Sequence, residues 1–267
     1  MNILCTFPGR HGDILWALPT VRAICEHYGE AVDLQIAGEF AGLKPLLTPQ
    51  PYIGQVIADD HWALVPPEEW RAPFTAYYDA VYHLGYRGWP QEPLAQATYR
   101  VAIADYGLPL PPLDLARSWI HDDAPWTPAV EVIAGFADTH FELKIGLLAM
   151  LRESPRWSML LLTPANGGGR WGSETPRCVS SRSCGWAEAT RHIRHATVFL
   201  GDCSALHVLA VAVGTPVVLV EPMEARWNPI FYPLGMDGMV KVVKGNDGRP
   251  TYDARHVADA LRAGLGR

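Results

Sequence analysis

The stretch that most restricts what this chain can fold into runs from Thr197 to Pro222, TVFLGDCSALHVLAVAVGTPVVLVEP. An apolar run, Thr197 to Gly201, has the length of a strand and ends in Gly201-Asp202. A helical pattern from Ser204 to Val213 follows and stops at Gly214; a second apolar run, Pro216 to Glu221, comes directly after it. Continuous apolar runs of this length fit strands buried on both faces. Two of them joined by a helix lie parallel in one sheet, because a parallel pair needs a crossover connection. Ser204 supplies a hydroxyl able to cap the first turn, and Gly214 a C-terminal stop.

The same alternation extends in both directions. Asn2–Phe7 reads as a strand ending in Pro8-Gly9, and Gly12 to Tyr28 as a helix with Ile14, Leu18, Val21, Cys25 and Tyr28 on one apolar face and Gly29 at its end. Pro19 falls inside that helix and marks either a kink or an irregular start. Strands are expected at Val32–Ala37, Tyr52–Ala58 and Asp79–Leu84. Helices are expected at Phe40–Leu47 and Pro93–Tyr106, the latter with Leu94, Ala97, Val101 and Ala104 inward. Beyond the proline-rich Gly107–Pro128 the pattern restarts with strands at Val130–Phe136, Trp157–Thr163, Arg177–Ser181 and Met239–Val243, and helices at Phe141–Arg152, Trp186–Ala196 and Tyr252–Leu265. Strands alternating with helices predict an α/β chain. A length of 267 residues accommodates two domains, which we place at 1–115 and 125–250, with 251–267 as a terminal helix.

Apolar residues make up 49% and charged residues 19% of the chain, the balance of a soluble globular protein. A net charge of -6 gives no general attraction to nucleic acid, which is therefore disfavoured as a partner. The five cysteines form no CxxC pair and no structural-zinc spacing, which predicts reduced thiols and no metal site. Asp59-Asp60 and Asp122-Asp123 lack a supporting motif for a bound cation. The N-terminus MNILCTFPGRHGD shows no charged segment followed by an apolar core, and the most apolar stretch, Val208–Val220, is broken by Gly214-Thr215-Pro216. Neither a secretory leader nor a membrane span is expected, and the predicted location is cytoplasmic.

Ligands of open α/β sheets bind beyond the carboxyl ends of the strands, where a helix N-terminus offers unpaired N–H groups suited to a diphosphate. Asp202, Cys203, Ser204 and His207 stand at such a turn. By itself the turn fits a diphosphate site and an ordinary capped helix equally. Asp13, by itself, reads as a helix N-cap, and Lys144 as a solvated lysine. Asn166–Trp171, NGGGRW, lacks the lysine and hydroxyl of a P-loop.

Asp202-Cys203-Ser204-Ala205-Leu206-His207, followed by Gly214-Thr215-Pro216, resembles the donor-binding segment of glycosyltransferase family 9, the heptosyltransferase-like enzymes. Asp202 and His207 keep the family spacing, whereas Cys203 and Ser204 depart from its Thr/Ser-Gly pair. Gly12-Asp13-Ile14-Leu15-Trp16-Ala17-Leu18-Pro19-Thr20-Val21-Arg22-Ala23 is similar to the family's first loop and helix. A lysine opens the first helix of the second domain in that family, and Lys144 stands similarly, with Ile145 in place of the usual aromatic.

The resemblance implies the GT-B arrangement: two Rossmann-like α/β domains facing across a cleft, with the terminal helix crossing back to the first. It implies an inverting, metal-independent transfer of a sugar from a nucleotide-diphosphate donor, ADP-linked in the family, to an acceptor hydroxyl. No cofactor is implied. Asp13 becomes the general base, with His11, Gly12 and Trp16 on the acceptor side. Thr139, Lys144, Asp202, Cys203, Ser204 and His207 hold the diphosphate, and Glu221 and Met223 meet the ribose or base. A glycan, a lipid-linked sugar or another hydroxyl compound would serve as acceptor. Transfer to a hydroxymethylated DNA base, a non-catalytic nucleotide-sugar binding protein and a nucleotide-sugar epimerase are the alternatives.

Overall fold

A computed structural model describes residues 1–59, 76–85, 91–122, 124–125, 130–135, 159–164, 180–221, 240–244 and 254–264. The described residues divide into two compact units, Met1–His121 and those from Asp122 onward.

The first unit is built on four parallel strands, β1 (Ile3–Thr6), β2 (Val32–Ala37), β3 (Ile53–Asp59) and β4 (Ala80–His83), in the order β3-β2-β1-β4. Helix α1 (His11–Tyr28) joins β1 to β2 and packs against α3 (Leu94–Tyr106), where the Thr20 and Thr98 hydroxyls meet at 3.2 Å. The expected single apolar face of α1 understates its burial. Every residue from Ile14 to Ile24 is buried, Arg22 included. The expected helix Phe40–Leu47 is a 3-10 turn, Gly38–Leu43, running into a single α turn, α2 (Lys44–Leu47). On α3 the inward residues are Leu94, Ala97, Thr98, Val101 and Ala102, and Ala104 faces solvent.

Pro19 does not start or break α1; it lies inside the helix. Its missing N–H would have bonded the carbonyl of Leu15, four residues back. That carbonyl instead accepts the indole Nε1–H of Trp119 at 3.1 Å, a side chain with no exposed surface. Trp119 belongs to the proline-rich segment, which is an ordered part of the first unit. Leu108, Leu110, Leu115, Trp119 and Ile120 are buried, and the Arg22 guanidinium donates to the carbonyls of Asp114 (2.8 Å), Ser118 (3.0 Å) and Arg117 (3.4 Å). The chain changes unit at one peptide. Gln50 accepts the His121 N–H at 2.8 Å and donates to its carbonyl at 3.1 Å, whereas the Asp122 carboxylate accepts from Arg191 Nε at 3.0 Å and its carbonyl from Arg194.

The second unit holds six parallel strands: β5 (Val132–Gly135), β6 (Met159–Pro164), β7 (Ser180–Cys184), β8 (Val198–Gly201), β9 (Val217–Glu221) and β10 (Val240–Lys244). Their order is β10-β9-β8-β5-β6-β7, so β5 and β8 are the central pair and the connections run outward from them in opposite directions. This is the dinucleotide-fold order, with its switch point between β5 and β8. Strand β7 runs on to Cys184, past the predicted end at Ser181, and Gly185 then caps α4 (Trp186–Arg194). Helix α5 (Ala205–Val213) crosses from β8 to β9. The terminal helix, α6 (Ala254–Gly264), does not cross back to the first unit as expected. It packs on β8, β9 and β10, burying Val257, Ala258 and Leu261, because those three side chains form one apolar stripe. The predicted helix Phe141–Arg152 and the loop Asn166–Trp171 lie outside the described residues.

Candidate functional site

At the switch point of the second unit, Gly135 and Gly201 are register partners at the carboxyl ends of β5 and β8. A Cβ on Gly201 would lie 2.3 Å from the Gly135 carbonyl oxygen, and one on Gly135 would lie 2.6 Å from Leu206 Cδ1. The two glycines therefore let the first turn of α5 settle directly over the strand ends. Between β8 and α5 the chain makes a tight reversal in which the Ser204 N–H donates to the Asp202 carbonyl at 2.7 Å.

Ser204 is the N-cap residue of α5, with φ -128° and ψ 170°. Its hydroxyl was expected to cap the helix and makes no cap bond; Oγ is buried and has no hydrogen-bond partner. The opening amides of an α-helix have no acceptor inside the helix, and they carry the positive end of its dipole. The turn thus gathers a hydroxyl and helix-start amides at the point where ligands of such sheets bind. Asp202 is buried and Cys203 half-buried beside it. His207 has no exposed surface, and burial lowers its pKa to about 4, with the Ser204 backbone pulling the other way. Its neutral imidazole supports the turn from the inside in this conformation. Glu221 ends β9. Thr139, Lys144 and Met223, also expected at the donor, lie outside the described residues.

In the first unit, β1 feeds α1 through the loop Phe7–Arg10, which puts His11, Gly12 and Asp13 in the helix's first turn, all half-buried. Asp13 is the third helical residue, not the N-cap. Its Oδ2 accepts the Arg10 N–H at 3.2 Å, which orients the carboxylate at the positive end of the helix. His11 meets Phe40 edge-on with ring centroids 4.7 Å apart; burial lowers its pKa, and the Glu39 carboxylate opposes that. Trp16, expected on the acceptor side, is 3% exposed and packs on Trp119 at 5.6 Å. It is a core residue because the helix around it is buried on all sides.

Sequence reading missed one pair here. Thr6 and His83 are the last register partners of β1 and β4, and Thr6 Oγ1 lies 2.8 Å from His83 Nδ1 in a hydrogen bond. The available signal was a polar residue closing each of two short apolar runs, Ile3–Thr6 and Ala80–His83, which becomes informative only once the two strands are known to be neighbours.

Among the described residues no group of three or more His, Cys, Asp or Glu could hold a metal ion, and no helix is long and apolar enough to cross a membrane. The Asp122 carboxylate is engaged by Arg191 and by the Ala124 N–H at 3.0 Å. Cys5, Cys25, Cys184 and Cys203 are not joined in disulfides.

By sequence, no protein-family model and no curated protein matches the chain. By structure, it matches a glycosyl transferase family 9 protein of Veillonella parvula with a TM-score of 0.69 at 11% identity, over 99% of this chain and 97% of that one. The ADP-heptose lipopolysaccharide heptosyltransferase II of E. coli matches with a TM-score of 0.69 at 15% identity, over 99% and 98% of the two chains. E. coli heptosyltransferase WaaC, solved with ADP-2-deoxy-2-fluoro heptose, matches at 0.68 and 15%, over 98% and 99%. These likenesses cover both units and show the fold: two parallel α/β units of the GT-B kind.

Proposed function

We propose that this chain is a heptosyltransferase-like glycosyltransferase that moves a sugar from a nucleotide-diphosphate donor to an acceptor hydroxyl, with inversion and without a metal. The observation that carries the reading is the turn Asp202–Ser204 at the β5/β8 switch point, with the uncommitted Ser204 hydroxyl at the start of α5. The full-length likeness to family 9 enzymes supports the same chemistry.

In this reading the donor's diphosphate lies at the start of α5. The helix amides and the Ser204 hydroxyl, with Thr139 and Lys144, neutralise it as it leaves. Asp202, Cys203 and His207 shape the turn, and Glu221 and Met223 meet the nucleoside. Asp13 takes the proton of the acceptor hydroxyl as the oxygen attacks the anomeric carbon. The bond from that carbon to the phosphate oxygen breaks on the opposite face, and the electron pair departs with the nucleoside diphosphate. The Arg10 N–H holds Asp13 in its rotamer and leaves its other oxygen to serve as the base. His11 and Gly12 flank it on the acceptor side. An ADP-linked donor follows from the family likeness.

A thermal-shift panel of ADP-, GDP-, UDP- and CDP-linked sugars tests the binding half, since a ligand selective for the native state raises apparent stability. Asp13→Asn tests the chemistry. It keeps the donor-induced shift and loses transfer by roughly 10²–10⁴-fold, the usual contribution of a general base. No shift with any of the four donors refutes the reading. Transfer by Asp13→Asn within tenfold of wild type refutes the assignment of the base, and donor binding without turnover on any acceptor makes the chain a binding protein instead.

A further inference from the structure

We infer that His83 contacts the acceptor, in a subsite for neutral sugar hydroxyls at the carboxyl ends of β1 and β4. The inference rests on the glycosyl-transfer reading and extends it to residues that reading leaves unassigned.

The strand order β3-β2-β1-β4 places β2 on one side of β1 and β4 on the other. The gap beyond β1 and β4 is thus the first unit's own switch point, the place where a parallel sheet receives a ligand. Asp13 follows directly from the β1 end through a short loop. His83 closes β4 at that same gap and is half-buried.

His83 is held on both its ring and its backbone. Thr6 Oγ1 meets ring Nδ1 at 2.8 Å. Strand β4 is an edge strand, so the outward backbone groups of its last residue lack a strand partner. The Tyr106 hydroxyl, at the end of α3, takes both: it accepts the His83 N–H at 2.9 Å and donates to the His83 carbonyl at 3.4 Å. A core position would need none of this. An imidazole pinned three ways at the mouth of a sheet is an imidazole held in one orientation for presentation. Gly85 keeps that side open, since a Cβ there would stand 3.8 Å from His83 Cδ2 and Nε2 and any longer side chain would cover the ring edge.

The polar row continues onto β2. Gln35 is the register partner of Thr6, is 1% exposed, and its Oε1 has no hydrogen-bond partner. Register partners in a sheet face the same way, so carboxamide, hydroxyl and imidazole stand in line across three strands. All three groups both donate and accept, and none carries a fixed charge. That chemistry suits the hydroxyls of a neutral sugar and gives no clamp for a phosphate.

The test uses the full-length protein labelled with ¹³C-histidine, with the His83 signal identified by its loss in His83→Gln. Methyl α- and β-glycosides of glucose, galactose, mannose and heptose are titrated as probes. At least one moves the His83 signal saturably. Its affinity falls about fivefold or more in Thr6→Val and Tyr106→Phe, while nucleotide-sugar binding stays within twofold. With a glycoside that is a transfer acceptor, His83→Gln raises its KM about tenfold and leaves the donor KM within twofold. A His83 signal unmoved by every probe, or an accepted glycoside with an unchanged KM in His83→Gln, overturns the subsite and leaves the transfer reading standing if transfer occurs. A saturable shift in a protein that binds no nucleotide sugar keeps the subsite and overturns transfer.

Discussion

Replacing Trp119 by Phe isolates what one indole N–H does for a helix that contains a proline. In α1 the Leu15 carbonyl has lost its partner to Pro19, and the Trp119 N–H replaces it at 3.1 Å in a site without solvent. Phe keeps most of the ring and removes the donor. A buried carbonyl left unmet costs about 1–3 kcal/mol, and the smaller ring, where Trp119 packs on Trp16, adds about 1–2 kcal/mol of lost packing. The two parts separate in a cycle with Pro19→Ala. That substitution restores an N–H four residues after Leu15, so in its background Trp119→Phe costs only the packing part. The expected coupling is about 1–2 kcal/mol, the range for residues sharing one partner. The measurement is urea unfolding of all four proteins followed by far-ultraviolet circular dichroism. An equal cost of Trp119→Phe in both backgrounds, within about 0.5 kcal/mol, would show that the Leu15 carbonyl does not depend on the indole, and the explanation of how α1 accommodates Pro19 would fail.

Gly201→Ala drives a methyl to 2.3 Å from the Gly135 carbonyl oxygen and should cost about 3 kcal/mol or more, since backbone and not a flexible tip must move; thermal unfolding measures it, and a loss under about 1 kcal/mol contradicts the close approach. Ser204→Ala should leave stability unchanged or slightly raised, because it removes a buried hydroxyl without a partner, yet weaken nucleotide-sugar binding about tenfold or more by calorimetry, the worth of a hydrogen bond to a charged group. His207 is held neutral down to about pH 4 when folded and protonates at its ordinary value near 6.5 when unfolded. The unfolded state therefore binds the extra proton between those values, so the stability due to this residue is full above 6.5 and falls by about 3 kcal/mol as the pH drops to 4; His207→Asn should flatten that part of the stability–pH curve, and an unaltered slope excludes His207 as its source.

Patterns that depend on one element alone were legible in the sequence. The apolar runs around Thr197–Glu221 needed only continuous hydrophobicity and two glycine-marked ends, and the strands, helix and parallel pairing there follow from them. What depends on a distant partner was not legible. Pro19 looked like a helix start or a kink because its compensating donor lies about a hundred residues on, at Trp119. Gly107–Pro128 looked like a linker because proline and turn residues suit any irregular path. The guanidinium of Arg22, which ties that path to α1, reads from sequence as a surface charge. The terminal helix shows the same limit from the other side. Its apolar stripe was plain, but a stripe does not say which sheet it will cover, and here the nearest one took it.

The donor turn also shows where glycine matters and where it does not. By resemblance, Ser204 stands at a position that is glycine in family 9. Its backbone, at φ -128° and ψ 170°, is extended, and any residue adopts that conformation, so the substitution carries no strain. Glycine is indispensable a few residues earlier, at Gly201 against Gly135, where a single methyl would push the strand ends apart and lift α5 off them. The geometric requirement of the turn is thus met by residues that do not touch the diphosphate in the proposed reaction. The position that does touch it is left to vary, and in this chain it has gained a hydroxyl at the positive end of the helix.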